Sequence, residues 1–153
     1  MRRWNVKGKK HDLSPSERNQ YVKLLTARLR DYPEVLFAYL YGSFSEGLPF
    51  SDIDVGIYLH QERLSGREMQ QYELRKGIDL ELLAGLPVDL RVLNYSSLPL
   101  RYHVSRGELL FSRDEPTRYA FLEATWRDYF DYYPLARQFF RDLTAVPFGS
   151  PVD

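Results

Sequence analysis

Two aspartates one residue apart, Asp52 and Asp54, open an apolar run of Ile53, Val55, Ile57 and Leu59. In an extended strand successive side chains point to opposite faces. Asp52, Asp54, Gly56 and Tyr58 therefore share one face, and the four aliphatic residues share the other. The aliphatic face belongs to a core. The two carboxylates, about 7 Å apart along the strand by its rise per residue, repel each other and require a cation between them. Hard divalent cations such as magnesium take oxygen ligands and are commonly held by one or two carboxylates together with substrate phosphates. Gly56, next on that face, leaves room beside such a site.

Two further features add to the pair. Asp89 interrupts the apolar alternation of Val88, Leu90 and Val92. If its strand lies beside the first, Asp89 completes three carboxylates, enough to hold two metals or one metal and a proton acceptor. The alternative is a salt bridge to Arg91 or Arg101. Upstream, Gly42 and Ser43 follow the apolar run Val35 to Tyr41. Glycine lets a backbone turn sharply and approach a ligand, and the serine offers a hydroxyl and an amide to phosphate oxygens. His11, His60 and His103 show no metal-ligand spacing and read as surface or loop residues.

These residues need a scaffold, and the chain has the signals for one. Residues 1–13 are basic and lack apolar periodicity, which reads as a flexible arm, with residues 14–153 forming a single domain. Ser14, Pro15 and Glu17 make the N-cap, first position and capping box of a helix whose apolar face is Tyr21, Leu24, Leu25 and Leu29. "VLFAYLY" is apolar on both faces and reads as a central strand. A strand over 52–59, a helix ended by Gly85 and Pro87, and a strand over 88–94 follow. The segment 97–105 reads as a short helix closed by Gly107, and "ELLFS" as an edge strand. Asp114 and Pro116 then open a long aromatic helix that Pro134 breaks or kinks. The fold class is α+β, a small mixed β-sheet flanked by helices.

At 153 residues the chain has the length of one ordinary domain. Lys plus Arg and Asp plus Glu are 21 each, so no net charge draws it to nucleic acid or an anionic membrane. There is no cysteine, which excludes thiolate chemistry and disulfides and suits a cytoplasmic location. No apolar run reaches the roughly 18 residues of a membrane span, and the first residues lack the apolar centre of a signal peptide. With 12 Tyr and 9 Phe, the chain is rich in aromatics, and they crowd toward its end. There the stripe Tyr119, Leu122, Trp126, Tyr129 and Tyr133 suffices to dock one helix. Phe130, Tyr132, Phe139 and Phe140 are left for an interface with a helical partner or a second copy of the chain, unless a helix after Pro134 folds back over the last two.

The stretch "GSFSEGLPFSDID" resembles the signature of the polymerase-beta type nucleotidyltransferases, and a chain with no added domain resembles their minimal (MNT) group. The likeness extends through "VDLRVLN" and "RYHVSRGELLFSRD", over roughly residues 35–143. It implies a polymerase-beta type nucleotidyltransferase fold. It also implies that Gly42 and Ser43 contact the triphosphate of ATP and that Asp52, Asp54 and Asp89 hold Mg2+, two ions in all, and carry the catalysis. Members resembling this chain are antitoxins encoded beside HEPN ribonuclease toxins, in pairs of the type VII kind, and transfer AMP from ATP to a toxin tyrosine. The turn after Ser43 is shorter than in many relatives, and Glu46 stands where they commonly carry Arg or Lys. Two alternatives remain: a non-catalytic antitoxin that neutralises its partner by covering it, and a small-molecule adenylyltransferase.

Overall fold

The computed structural model describes residues 9–60 and 64–144. Its elements are α1 (Pro15–Arg30), β1 (Val35–Tyr41), α2 (Gly42–Ser45), β2 (Ile53–Leu59), α3 (Gly66–Ala84), β3 (Val88–Val92), α4 (Leu98–Ser105), β4 (Glu108–Ser112) and α5 (Glu115–Thr144). The four strands lie in the order β3-β2-β1-β4. β1 pairs antiparallel with both β2 and β4, whereas β2 and β3 run parallel, so the sheet is mixed as expected.

β1 is apolar on both faces because both faces of the sheet are covered. Ile53, Val55, Ile57 and Leu59 are fully buried on one face with Leu25 and Leu29 of α1 and Met69, Tyr72 and Leu80 of α3. On the other, Phe37, Tyr39 and Tyr41 of β1 pack with Leu93, Val104 and Phe121 beneath α4 and α5. Phe37 stacks on Tyr58 at 5.1 Å and meets Phe121 at 5.5 Å. Asp54 of β2 therefore shares a face with a largely aromatic layer, while Asp52, expected to open the strand, lies in the bend just before it.

Local signals set the helix ends. Ser14 caps α1 and Glu17 completes the box, and Ser65 and Glu68 repeat the device at α3. On α1 the buried face is Arg18, Leu25 and Leu29, while Leu24 is turned outward. His11 and Phe50 exchange backbone hydrogen bonds at 2.7 and 2.9 Å, holding the described end of the basic segment to the domain. Residues 1–8 of that arm lie outside the described residues, as do residues 145–153.

α5 is not broken at Pro134. It continues through Pro134 as one helix of 30 residues. Its docking face is also rotated from the expected stripe: Phe121 and Thr125 are buried, while Tyr119, Trp126 and Tyr133 are each more than two-fifths exposed. The cause is α4, which packs against α5 and sets which side of it turns inward. Tyr102 of α4 stacks on Tyr129 at 3.6 Å, and the Trp126 indole N–H donates to Ser105 at 2.9 Å. Because the helix does not fold back, Phe139 stays 59% exposed. The side chain of Phe140 lies outside the described residues.

Candidate active site

The site starts where β1 ends. After Tyr41 the chain turns at Gly42, φ +82°, into the single turn of α2. A Cβ at Gly42 would overlap the Asp54 carboxylate and stand 3.3 Å from its Cγ. The turn approaches Asp54 this closely only because residue 42 has no side chain. α2 is held from behind by Arg18, whose guanidinium lies over the rings of Phe44 and Phe50. Its Nη1 donates to the Phe44 carbonyl at 3.2 Å, and its Nε to that of Leu13 at 2.9 Å. An arginine on the inner face of a helix breaks the apolar pattern. That break is the sequence signal for this buttress, and the reading of α1 as purely apolar there missed it.

Parallel pairing of β2 and β3 sets Asp54 directly opposite Asp89. The register is locked at its far end by Asn94, whose amide donates to the Leu59 carbonyl at 2.8 Å and whose Oδ1 accepts from the Leu59 N–H at 2.9 Å. Asp52, Asp54 and Asp89 then each offer an oxygen within 4.8 Å of the others. Asp52 is exposed and the other two are half-buried. The three aspartates expected to converge do converge, with Gly42 against them and Ser43 next to it on α2. Gly56 has a different role from the one its face suggested. A Cβ there would press on Leu93 and Val104 at 3.1 and 3.2 Å, so its small size admits packing partners rather than a ligand.

Both readings of Asp89 hold at once, since Arg91 donates to its Oδ1 at 3.0 Å while Asp89 remains in the cluster. One guanidinium does not balance three carboxylates. Burial, then Asp89, then Asp52 push the Asp54 carboxyl up from 3.8 to about 7, with Arg91 opposing them. Burial, followed by the charges of Asp54 and Asp89, holds the Tyr41 phenol well above its ordinary range. A compact, hard-oxygen donor set with excess negative charge fits a divalent cation. Among the described residues it is the group of three or more acidic, histidine or cysteine side chains with that spacing.

A groove of about 310 Å3 runs from Gly42 to the end of α4 and brings in residues outside the predicted set, among them Ser45, His103 and Arg106. Tyr41 meets the His103 ring edge-on at 5.3 Å. His103, expected to be a surface or loop residue, is exposed on α4 and enters the groove because α4 doubles back over the end of β1.

Comparison with known proteins agrees with this geometry. The model of the polymerase beta nucleotidyltransferase family matches residues 23–116, a span that includes Gly42, Ser43 and all three aspartates. No curated protein matches the chain. Among solved structures, one of the tri-AMPylated Shewanella oneidensis HEPN toxin in complex with MNT antitoxin contains a similar chain. It is 22% identical, with a TM-score of 0.62, over 84% of this chain and 99% of that one. A chain in a toxin–antitoxin structure with AMP-PNP is 25% identical, with a TM-score of 0.60 over 84% and 98%. One in the toxin–antitoxin MntA-HepT is 21% identical, also at 0.60, over 86% and 100%. These likenesses show a shared fold, and the family match, which covers more than half of the sequence, shows that the chain belongs to the polymerase beta nucleotidyltransferase family.

Proposed function

We propose that this protein is a Mg2+-dependent adenylyltransferase of the cytoplasm, an antitoxin that transfers AMP from ATP to a tyrosine hydroxyl of a HEPN-type toxin. The observation that carries this reading is the convergence of Asp52, Asp54 and Asp89 beside the Gly42 turn. The structural neighbours seen with an AMPylated HEPN toxin and with AMP-PNP support the choice of nucleotide and partner.

Asp52, Asp54 and Asp89 would hold the metal, two ions in the reading we favour. Bound there, magnesium supplies charge neutralisation for the phosphates and eases ionisation of the acceptor hydroxyl. Gly42 gives the phosphates access to backbone amides, and Ser43 adds its hydroxyl. The acceptor oxygen bonds to the α-phosphorus, the bond from that phosphorus to the oxygen bridging toward the β-phosphorus breaks, and pyrophosphate leaves. The acceptor's proton passes to Asp89. Arg91 must then share Asp89 or move aside, since its guanidinium pairs with that carboxylate.

Incubation with α-labelled ATP, Mg2+ and a HEPN-type toxin should label the toxin on tyrosine. Chelator or Asp54→Asn should abolish the labelling. A toxin neutralised and bound but never labelled would favour the non-catalytic antitoxin, a reading that the exposed aromatic residues of α5 also support.

A further inference from the structure

We propose that Arg106, assisted by His103, supplies the cationic contact to the phosphate arm of the nucleotide, from across the groove that Gly42 lines. The proposal rests on the nucleotidyltransferase reading and adds to it the residue that recognises the triphosphate. The turn after Ser43 offers no base for this purpose, because Glu46 stands in it. Tyr41, Gly42, Ser45 and Glu46 form one wall of the groove, and His103 and Arg106 line it from α4 and the residue that follows. Gly42 also abuts the Asp54 carboxylate, so a ligand reaching along the groove has one end at the acidic cluster.

Arg106 is available for such a contact. Among the described residues Arg18, Arg28, Arg91 and Arg118 each pair with a carboxylate, and the Arg113 guanidinium donates to backbone carbonyls. Arg106 forms no ion pair among them, and its guanidinium rests over the Tyr102 ring at 5.8 Å. Its backbone is nevertheless fixed on both sides. Ser105 before it is buried, donating to the Tyr102 carbonyl at 2.7 Å and accepting from Trp126 at 2.9 Å. Gly107 after it lies so close to the Leu40 carbonyl of β1 that a Cβ there would overlap that oxygen. An unpaired guanidinium on a fixed backbone, in a groove whose Gly42 wall abuts the Asp54 carboxylate, suits bidentate recognition of phosphate oxygens.

Calorimetric titration of AMP-PNP and of AMP, each with Mg2+, into wild type, Arg106→Ala, Arg106→Lys and His103→Ala tests this. Arg106→Ala should weaken AMP-PNP about tenfold or more and AMP less than about threefold. Arg106→Lys should recover part of the loss, and His103→Ala should cost a few-fold. Thermal midpoints and Mn2+ binding without nucleotide should match wild type. Equal AMP-PNP affinity in wild type and Arg106→Ala would overturn the proposal while leaving the proposed function standing. So would a loss of the same factor for AMP and AMP-PNP. A wild-type protein that binds neither nucleotide would overturn the nucleotidyltransferase reading itself.

Discussion

Gly42→Ala combines a backbone cost and a steric cost, and Gly47 separates them. Both glycines have left-handed φ, +82° and +80°, yet a Cβ at Gly47 meets nothing within 4 Å while one at Gly42 overlaps the Asp54 carboxylate. Placing an L-residue in that backbone region costs about 1–2 kcal/mol, which is the whole expected effect of Gly47→Ala. Forcing a methyl into a filled site adds about 1–3 kcal/mol, so Gly42→Ala should destabilise the metal-free protein by about 2–5 kcal/mol. Asp54→Ala removes the Oδ2 and Cγ that the methyl strikes and leaves Asp54 Cβ at 3.5 Å, an ordinary contact. In that background Gly42→Ala should cost no more than Gly47→Ala does.

The assay is urea unfolding of wild type, the single variants and the double mutant with chelator present, followed by Mn2+ calorimetry. Should Asp54 rotate away from the new methyl, the coupling moves from stability into metal affinity, which should then fall about tenfold. Equal costs at the two glycines together with unchanged metal affinity would refute the claim that the turn at Gly42 is fitted to Asp54.

The remaining predictions follow from other contacts. Asp54→Asn should raise metal-free stability near neutral pH by about 2 kcal/mol, after discounting for solvent screening, because it removes a half-buried charge facing two like charges; a lower melting temperature would count against this. Arg91→Gln should tighten Mn2+ binding while costing the metal-free fold up to about 1 kcal/mol, since the guanidinium both balances Asp89 and competes with the ion. Asp79 sits below its ordinary carboxyl range because Tyr32 and Arg28 both donate to it. Its stabilising effect should be complete above about pH 4 and vanish as pH falls through the lowered value, so the melting difference between wild type and Asp79→Asn should close in acid. Glu46 is exposed, so Glu46→Arg should leave ATP affinity unchanged or tighten it by at most about 1 kcal/mol; abolished binding would make the glutamate a ligand.

How much of this was legible in the sequence depended on the range of the interaction. The capping box at Ser14, the period of two in 52–59 and the Gly-Ser after an apolar strand are local patterns, and each element they predict is present. Convergence of the three aspartates needed only one non-local assumption, that β2 and β3 are neighbours, and the parallel pairing of the two strands meets it. The contacts that went unread join residues far apart in the chain: Arg18 to the Phe44 carbonyl, and Ser105 to Trp126. No pattern within a single element encodes them. The face that α5 presents to the fold depends on where α4 lies, so the aromatic stripe could be counted from the sequence but not oriented.

That orientation leaves the final prediction on α5. Phe130, Tyr132, Leu135 and Phe139 are between 54% and 70% exposed, and they are spread over more than one side of the helix beyond Thr125, the last buried side chain among its described residues. From Trp126 to the helix end at Thr144 the chain runs on for about 28 Å, at 1.5 Å of rise per residue. A helix that is apolar on several sides is stable in water only when something covers it. A HEPN-type helical partner would cover it in the proposed function, and aromatic side chains dominate such anchors. Changing Phe130 and Tyr132 together to Ser should weaken the complex by about 2 kcal/mol or more, yet spare transfer of AMP to an unattached acceptor, because neither residue lines the groove beside Gly42. Calorimetry with the toxin reads the first effect and labelled ATP the second. Complex formation at wild-type strength would show that this stretch of α5 is not the interface. A change confined to self-association would assign it to a second copy of the chain.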